Sequence, residues 1–156
     1  MRNSMRSTRI SLQTGFSLIE AMVALVVVSV GMIGIAGLYG QGLSAGRTAL
    51  YRTQAVNLAA DMADRIRVNR LGGANYGGAA ANNNCDPPGA VNCTPAQMAA
   101  HDLFVWTNQV QAQLPNGAGA EQFVGTSPPT FNISVNWQET GLGAVTYTMA
   151  IRVPSL

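Results

Sequence analysis

The first fifteen residues are polar, carry Arg2, Arg6 and Arg9, and contain no apolar run. Phe16-Ser17-Leu18-Ile19-Glu20 follows, and from Ala21 to Leu38 no charged residue appears. Eighteen helical residues reach about 27 Å, close to the roughly 30 Å hydrocarbon core of a bilayer, and the less apolar stretch to Ala45 completes a crossing. The pattern predicts a single-pass anchor, with the positive tip in the cytoplasm and the remainder outside. A cleavable secretory signal has an apolar region of about 7 to 15 residues. Here the run is longer and an acid, Glu20, stands at its start, which argues against ordinary signal-peptidase removal. Gly31, Gly34, Gly37 and Gly40 recur every third position. At roughly 1 kcal/mol relative to alanine for each glycine, this predicts a helix that can loosen, and equally a small-residue face for helix packing in lipid.

From Arg47 to about Leu71 the pattern becomes amphipathic. Leu50, Leu58, Met62 and Ile66, with Ala55 and Ala59, share one face, while Arg52, Asp61, Asp64, Arg65 and Arg67 lie largely elsewhere. One helix is predicted from Phe16 to near Leu71, ended by Gly72-Gly73. Asn75 to Asn92 reads as a Gly/Ala/Asn-rich loop carrying Cys85, Asp86, Pro87 and Pro88, too poor in apolar groups to order itself.

Thr94-Pro95-Ala96-Gln97 then opens a second helix, with a capping threonine, proline at the first turn and glutamine at the capping-box position. Ala99, Leu103, Trp106, Val110 and Leu114 form its apolar stripe; His101 falls off that stripe and is expected in solvent. Phe131, Ile133, Val135 and Trp137 alternate with polar residues, and Val145, Tyr147, Met149, Ile151 and Val153 alternate again after Thr140-Gly141-Leu142-Gly143. These two runs predict a β-hairpin, with Gln122 to Gly125 as a short third strand. The fold class is α+β: a long amino-terminal helix, transmembrane in its first half, packed on a small antiparallel sheet with a second, short helix.

Composition sharpens this. Charged residues make up 10% of the chain and hydrophobic residues 47%, whereas a disordered chain needs low hydrophobicity and high charge. The formal charge is +2. Setting aside the three leading arginines leaves −1, so the basic pI belongs to the tip and direct nucleic-acid binding is not expected. Cys85 and Cys93 have no histidine partner and no second pair, which disfavours zinc; a short-loop disulfide formed in an oxidising compartment is the better reading. One histidine, no glycine-elbow serine and no phosphate-cradling loop point away from an enzyme. No catalytic residue, metal ligand set or cofactor is expected.

Glu20 breaks a rule, since an acid on a membrane helix is costly and by default marks function with a partner. A cut between Gly15 and Phe16 would leave a positive amine four residues from Glu20. In a stack of such helices, Glu20 of one copy would neutralise the amine of the next, a heterologous contact of the kind that builds filaments.

Gly15 followed by Phe16-Ser17-Leu18-Ile19-Glu20, between a basic leader and an apolar run, resembles the class III signal of type IV pilins and type II secretion pseudopilins. The resemblance implies cleavage between Gly15 and Phe16 by the prepilin peptidase, methylation of the Phe16 amine, and Glu20 as the acid needed for methylation and assembly. Cys85 to Cys93, then Thr94 to Gln97 with Asp102, Leu103 and Trp106, then Val135 to Glu139, is similar to minor pilins of the pilus-modification type called PilV. Gly37 stands where major pilins often have proline, and both cysteines precede the second helix, so a bulk-subunit role is disfavoured.

The implied layout is a leader at 1–15, a transmembrane and assembly helix at 16–46, and a periplasmic globular domain at 47–156. The implied function is a minor pilin of the inner membrane and surface pilus that initiates or modifies fibres. Its partners would be other minor and major pilins, the prepilin peptidase and methyltransferase, the inner-membrane assembly machinery and lipid. A minor pseudopilin is the alternative on the same physics, as is a tip adhesin using the Asn75–Asn92 loop.

Overall fold

The computed structural model describes residues 15–86 and 92–154; the expected leader up to residue 14 and the Pro87-Pro88 part of the expected loop lie outside them. The chain divides into two compact units between Ser44 and Ala45. One helix, α1, runs Leu18–Val68. A 3-10 segment (Arg70–Gly77), a second helix α2 (Pro95–Gln113) and strands β1 (Ala118–Thr126), β2 (Pro129–Glu139) and β3 (Gly143–Arg152) follow.

In the first unit, α1 starts where Ser17 can cap it: the Glu20 amide donates to Ser17 Oγ at 3.3 Å and to its carbonyl at 3.1 Å. The helix therefore begins two residues later than Phe16.

In the second unit, Ala55, Leu58, Ala59, Met62, Ala63 and Ile66 of α1 are buried, at the i, i+3, i+4 spacing of one face. Leu50, expected on that face, is 54% exposed; it lies 140° around the helix from Ala55. Tyr51, one turn before Ala55, packs against the core in its stead. The helix ends at Val68, short of Gly72-Gly73. Both glycines fall inside the 3-10 segment, which carries the fully buried Tyr76 into the core.

Helix α2 has both halves of the predicted capping box, Thr94 with Gln97, and Pro95 in its first turn. Its stripe, Ala99, Leu103, Trp106 and Val110, is buried with Leu114 beyond its end. His101 departs from expectation: it is 4% exposed. The stripe logic assumes one covered face, but the segment before Asp86 lies across α2 as well. The Ala81 amide donates to the Ala100 carbonyl at 2.9 Å, and Asn83 Nδ2 to the Gln97 carbonyl at 2.8 Å. His101 Nε2 sits 3.2 Å from Asp86 Oδ2 beneath this cover.

The sheet order is β1-β2-β3, antiparallel throughout. Phe131, Ile133, Val135 and Trp137 of β2 face the core and the β2–β3 turn is made at Gly141 and Gly143, whose φ values of 87° and 80° favour glycine. β1 extends well beyond the expected Gln122–Gly125. Its start, Ala118-Gly119-Ala120, carries little strand propensity, but Gly119 is required by packing. A Cβ there would stand 2.5 Å from Trp106 Cζ3.

Cys85 and Cys93 form a disulfide. In the chain-entropy account a loop of this size contributes about 2.5 kcal/mol. Both cysteines should resist thiol reagents until reduced, and reduction should lower the melting temperature; ready labelling without reductant would remove the bond from the picture.

Candidate functional site

Every large apolar side chain from Phe16 to Leu43 is more than half exposed in the isolated chain, Phe16 at 86% and Ile33 at 74%. A continuous apolar surface of this kind marks a membrane or protein interface, and α1 is long and apolar enough to cross a membrane. Gly42 leaves a shallow groove between Ile35, Leu38, Tyr39 and Leu43 on one face. At the head of this surface the structure gathers three of the expected site residues, Gly15, Phe16 and Glu20, at the start of α1. Glu20 is its first-turn acid, where the helix dipole favours negative charge. Ser17-Leu18-Ile19-Glu20 is a capping-box spacing, a second reason for an acid at this position.

The cysteines belong to the second unit, where the polar groups form three sites that the sequence pattern left unassigned. Glu139 has a fully buried side chain, and Arg52 grips it with Nε to Oε1 at 3.1 Å and an NH2 contact to Oε2 at 3.2 Å. Trp137 Nε1 donates to the same Oε1 at 3.1 Å. The Arg52 guanidinium holds the Glu139 carboxyl below its ordinary range. This clamp joins α1 to the end of β2. Strand parity carried the signal: Glu139 continues the inward series Phe131 to Trp137.

Asp102 of α2 accepts from Tyr76 Oη at 2.6 Å and from Arg65 at 3.1 Å, and Arg65 also reaches Asp61 at 2.9 Å. Burial pushes the Tyr76 hydroxyl up, and its bond to the Asp102 carboxylate adds to the shift. The network ties α1, the 3-10 segment and α2 together, and a lone tyrosine in a Gly/Ala/Asn-rich stretch was its only trace in the sequence.

Glu121 sits on the inward parity of β1, between Gly119 and Phe123, and neither carboxylate oxygen has a hydrogen-bond partner among the described residues. Burial raises its pKa to about 7. Because the folded value lies above the unfolded one, the protonated form favours folding. Its contribution is full below about pH 4.5 and fades as pH rises through about 7. Thermal melting in detergent should fall between pH 5 and 8, and Glu121→Gln should flatten that slope; equal slopes in both proteins would count against a buried, unpaired acid.

Among the described residues, no group of three or more His, Cys, Asp or Glu could hold a metal. Residues 10–36 match the model of the prokaryotic N-terminal methylation motif, and residues 38–104 match that of the type IV pilin Tt1218 family. Over these two segments the chain is similar to type IV pilins. The first match spans Gly15, Phe16 and Glu20, and the second runs from α1 through the disulfide segment into α2. All three strands lie beyond both matches, so the pilin-like sheet is a finding of the structure. No curated relative and no solved structure matches the chain.

Proposed function

We propose that this chain is a minor pilin of the PilV type, made with a leader at 1–15 and processed between Gly15 and Phe16. Residues 16–46 then hold it in the inner membrane, amino end in the cytoplasm, and residues 47–156 stand in the periplasm. The observation that carries this reading is the exposed apolar surface that runs from Phe16 along α1 to Leu43, with Glu20 as the acid of its first turn. Such a helix serves first as an anchor and then as a packing surface against other pilins, because lipid tails and neighbouring apolar helices satisfy it alike. Glu20 supplies the carboxylate that meets the processed amine of a neighbouring subunit. The matched pilin family is a structural one, and the work assigned here is binding: it initiates or modifies the fibre rather than catalysing a reaction.

Intact-mass spectrometry of sheared surface fibres and of inner membranes tests this. The expected species in fibres has lost residues 1–15 and gained one methyl group. The same mass confined to membranes would shift the assignment to a pseudopilin or a basal primer. A full-length, unmethylated mass in both fractions would overturn the reading.

A further inference from the structure

The two edges of the sheet are built differently. β1 carries a register shift between Phe123 and Gly125 and turns an ionisable carboxyl, Glu121, inward. Both are devices by which proteins keep an edge from pairing with another chain. β3 has neither. Its pairing with β2 runs without a shift from Arg152 opposite Thr130 to Gly143 opposite Glu139. It contains no proline and no acid, and its one charge, Arg152, is at its end. Among the described residues no strand or side chain hydrogen-bonds its outer backbone edge.

The core is also left open on that side. Ile133, Val135 and Trp137 of β2 are buried, but the β3 residues paired with them, Met149, Tyr147 and Val145, are only half-buried. Arg152 makes no ion pair among the described residues. The opposite face is short, exposed and uncharged over Ala144, Thr146, Thr148 and Ala150, with Thr146 and Thr148 held by cross-strand hydrogen bonds to Asn136 and Ser134. An edge already held in register by its unbroken pairing with β2 would lose little conformational entropy on pairing.

We propose that the outer edge of β3 is a strand-docking site that takes an extended segment of a neighbouring subunit, apolar at every second position and bearing a carboxylate beside Arg152. The main-chain ladder would give affinity. The alternate apolar side chains would cover Val145, Tyr147 and Met149, and the acid would fix the register. That the donor is another pilin-like subunit rests on the function proposed above.

The test places the photo-crosslinker p-benzoylphenylalanine in the full-length protein at Thr148 and, as the guarded-edge control, at Ala120 of β1. Both positions are exposed on the sheet, and circular dichroism of each labelled protein checks that its fold is retained. Cross-linked peptides are then mapped in fibre and membrane fractions. Cross-links severalfold stronger at Thr148, mapping to an alternating apolar segment and weakened by Arg152→Glu, support the site. Cross-links no stronger than the control, or mapping only to helices, overturn it. A specific strand cross-link in membranes together with absence from fibres would sink the pilus assignment and leave the docking edge standing.

Discussion

Trp106→Ala should lower the unfolding free energy by about 3–5 kcal/mol, the usual cost of truncating a large buried aromatic. The indole is fully buried, and Nε1 donates to the Leu58 carbonyl of α1 at 2.8 Å. Its ring lies where a Cβ at position 119 would go. One side chain thus joins α1, α2 and β1, and its loss opens a cavity while leaving a buried carbonyl short of a donor. Chemical denaturation of the full chain in detergent, followed by tryptophan-independent circular dichroism, measures the change. Gly119→Ala should also destabilise, by about 1–3 kcal/mol, through overpacking against the same ring. A Trp106→Ala loss below about 1 kcal/mol would mean that the three elements are not joined here.

Glu20→Ala should leave membrane insertion intact and remove the protein from fibres. A buried charge stripped of its partner costs about 3–5 kcal/mol, which at about 1.4 kcal/mol per decade is on the order of a hundredfold or more in incorporation. Glu20→Gln separates two roles. It keeps a side chain able to serve the capping box but has no charge, so it should fail nearly as badly if charge pairing dominates. Incorporation of the glutamine variant at the normal level would instead assign Glu20 to helix capping. Immunoblots of sheared fibres against membrane fractions report both variants.

Much of the fold was legible because local and tertiary preferences agreed. The Thr94–Gln97 box announced α2 to the residue, and period-two alternation placed Phe131 through Trp137 inward. Disagreement marks the misses. Ala118-Gly119-Ala120 has little strand character of its own and becomes strand through its pairing with Ser134 to Asn136, with Gly119 leaving room for the Trp106 ring. Leu50 has the right chemistry at the wrong angle. His101 looked solvated because a helix wheel shows one stripe, whereas a distant segment ending at Asp86 covers a second face. At the candidate site, the Gly15–Glu20 pattern was readable since its chemistry is contiguous. The Arg52–Glu139 and Tyr76–Asp102–Arg65 contacts join residues far apart in the chain, and no short pattern encodes them.

The start of α1 at Leu18 bears on how maturation proceeds. A cut ahead of Phe16 falls outside the helix, and Ser17, which caps the first turn, stays on the retained side. Removal of the leader, as proposed above, would free a cationic end without unwinding any turn of α1. That new charge stands at the positive pole of the helix, an arrangement unfavourable by about 0.3–1 kcal/mol at an exposed site. The chain's own Glu20 lies in that same first turn, and under the proposed function a carboxylate arriving from a neighbour would relieve both the amine and the pole behind it. Maturation in this picture primes the subunit for capture, while the Ser17 cap keeps the first turn intact.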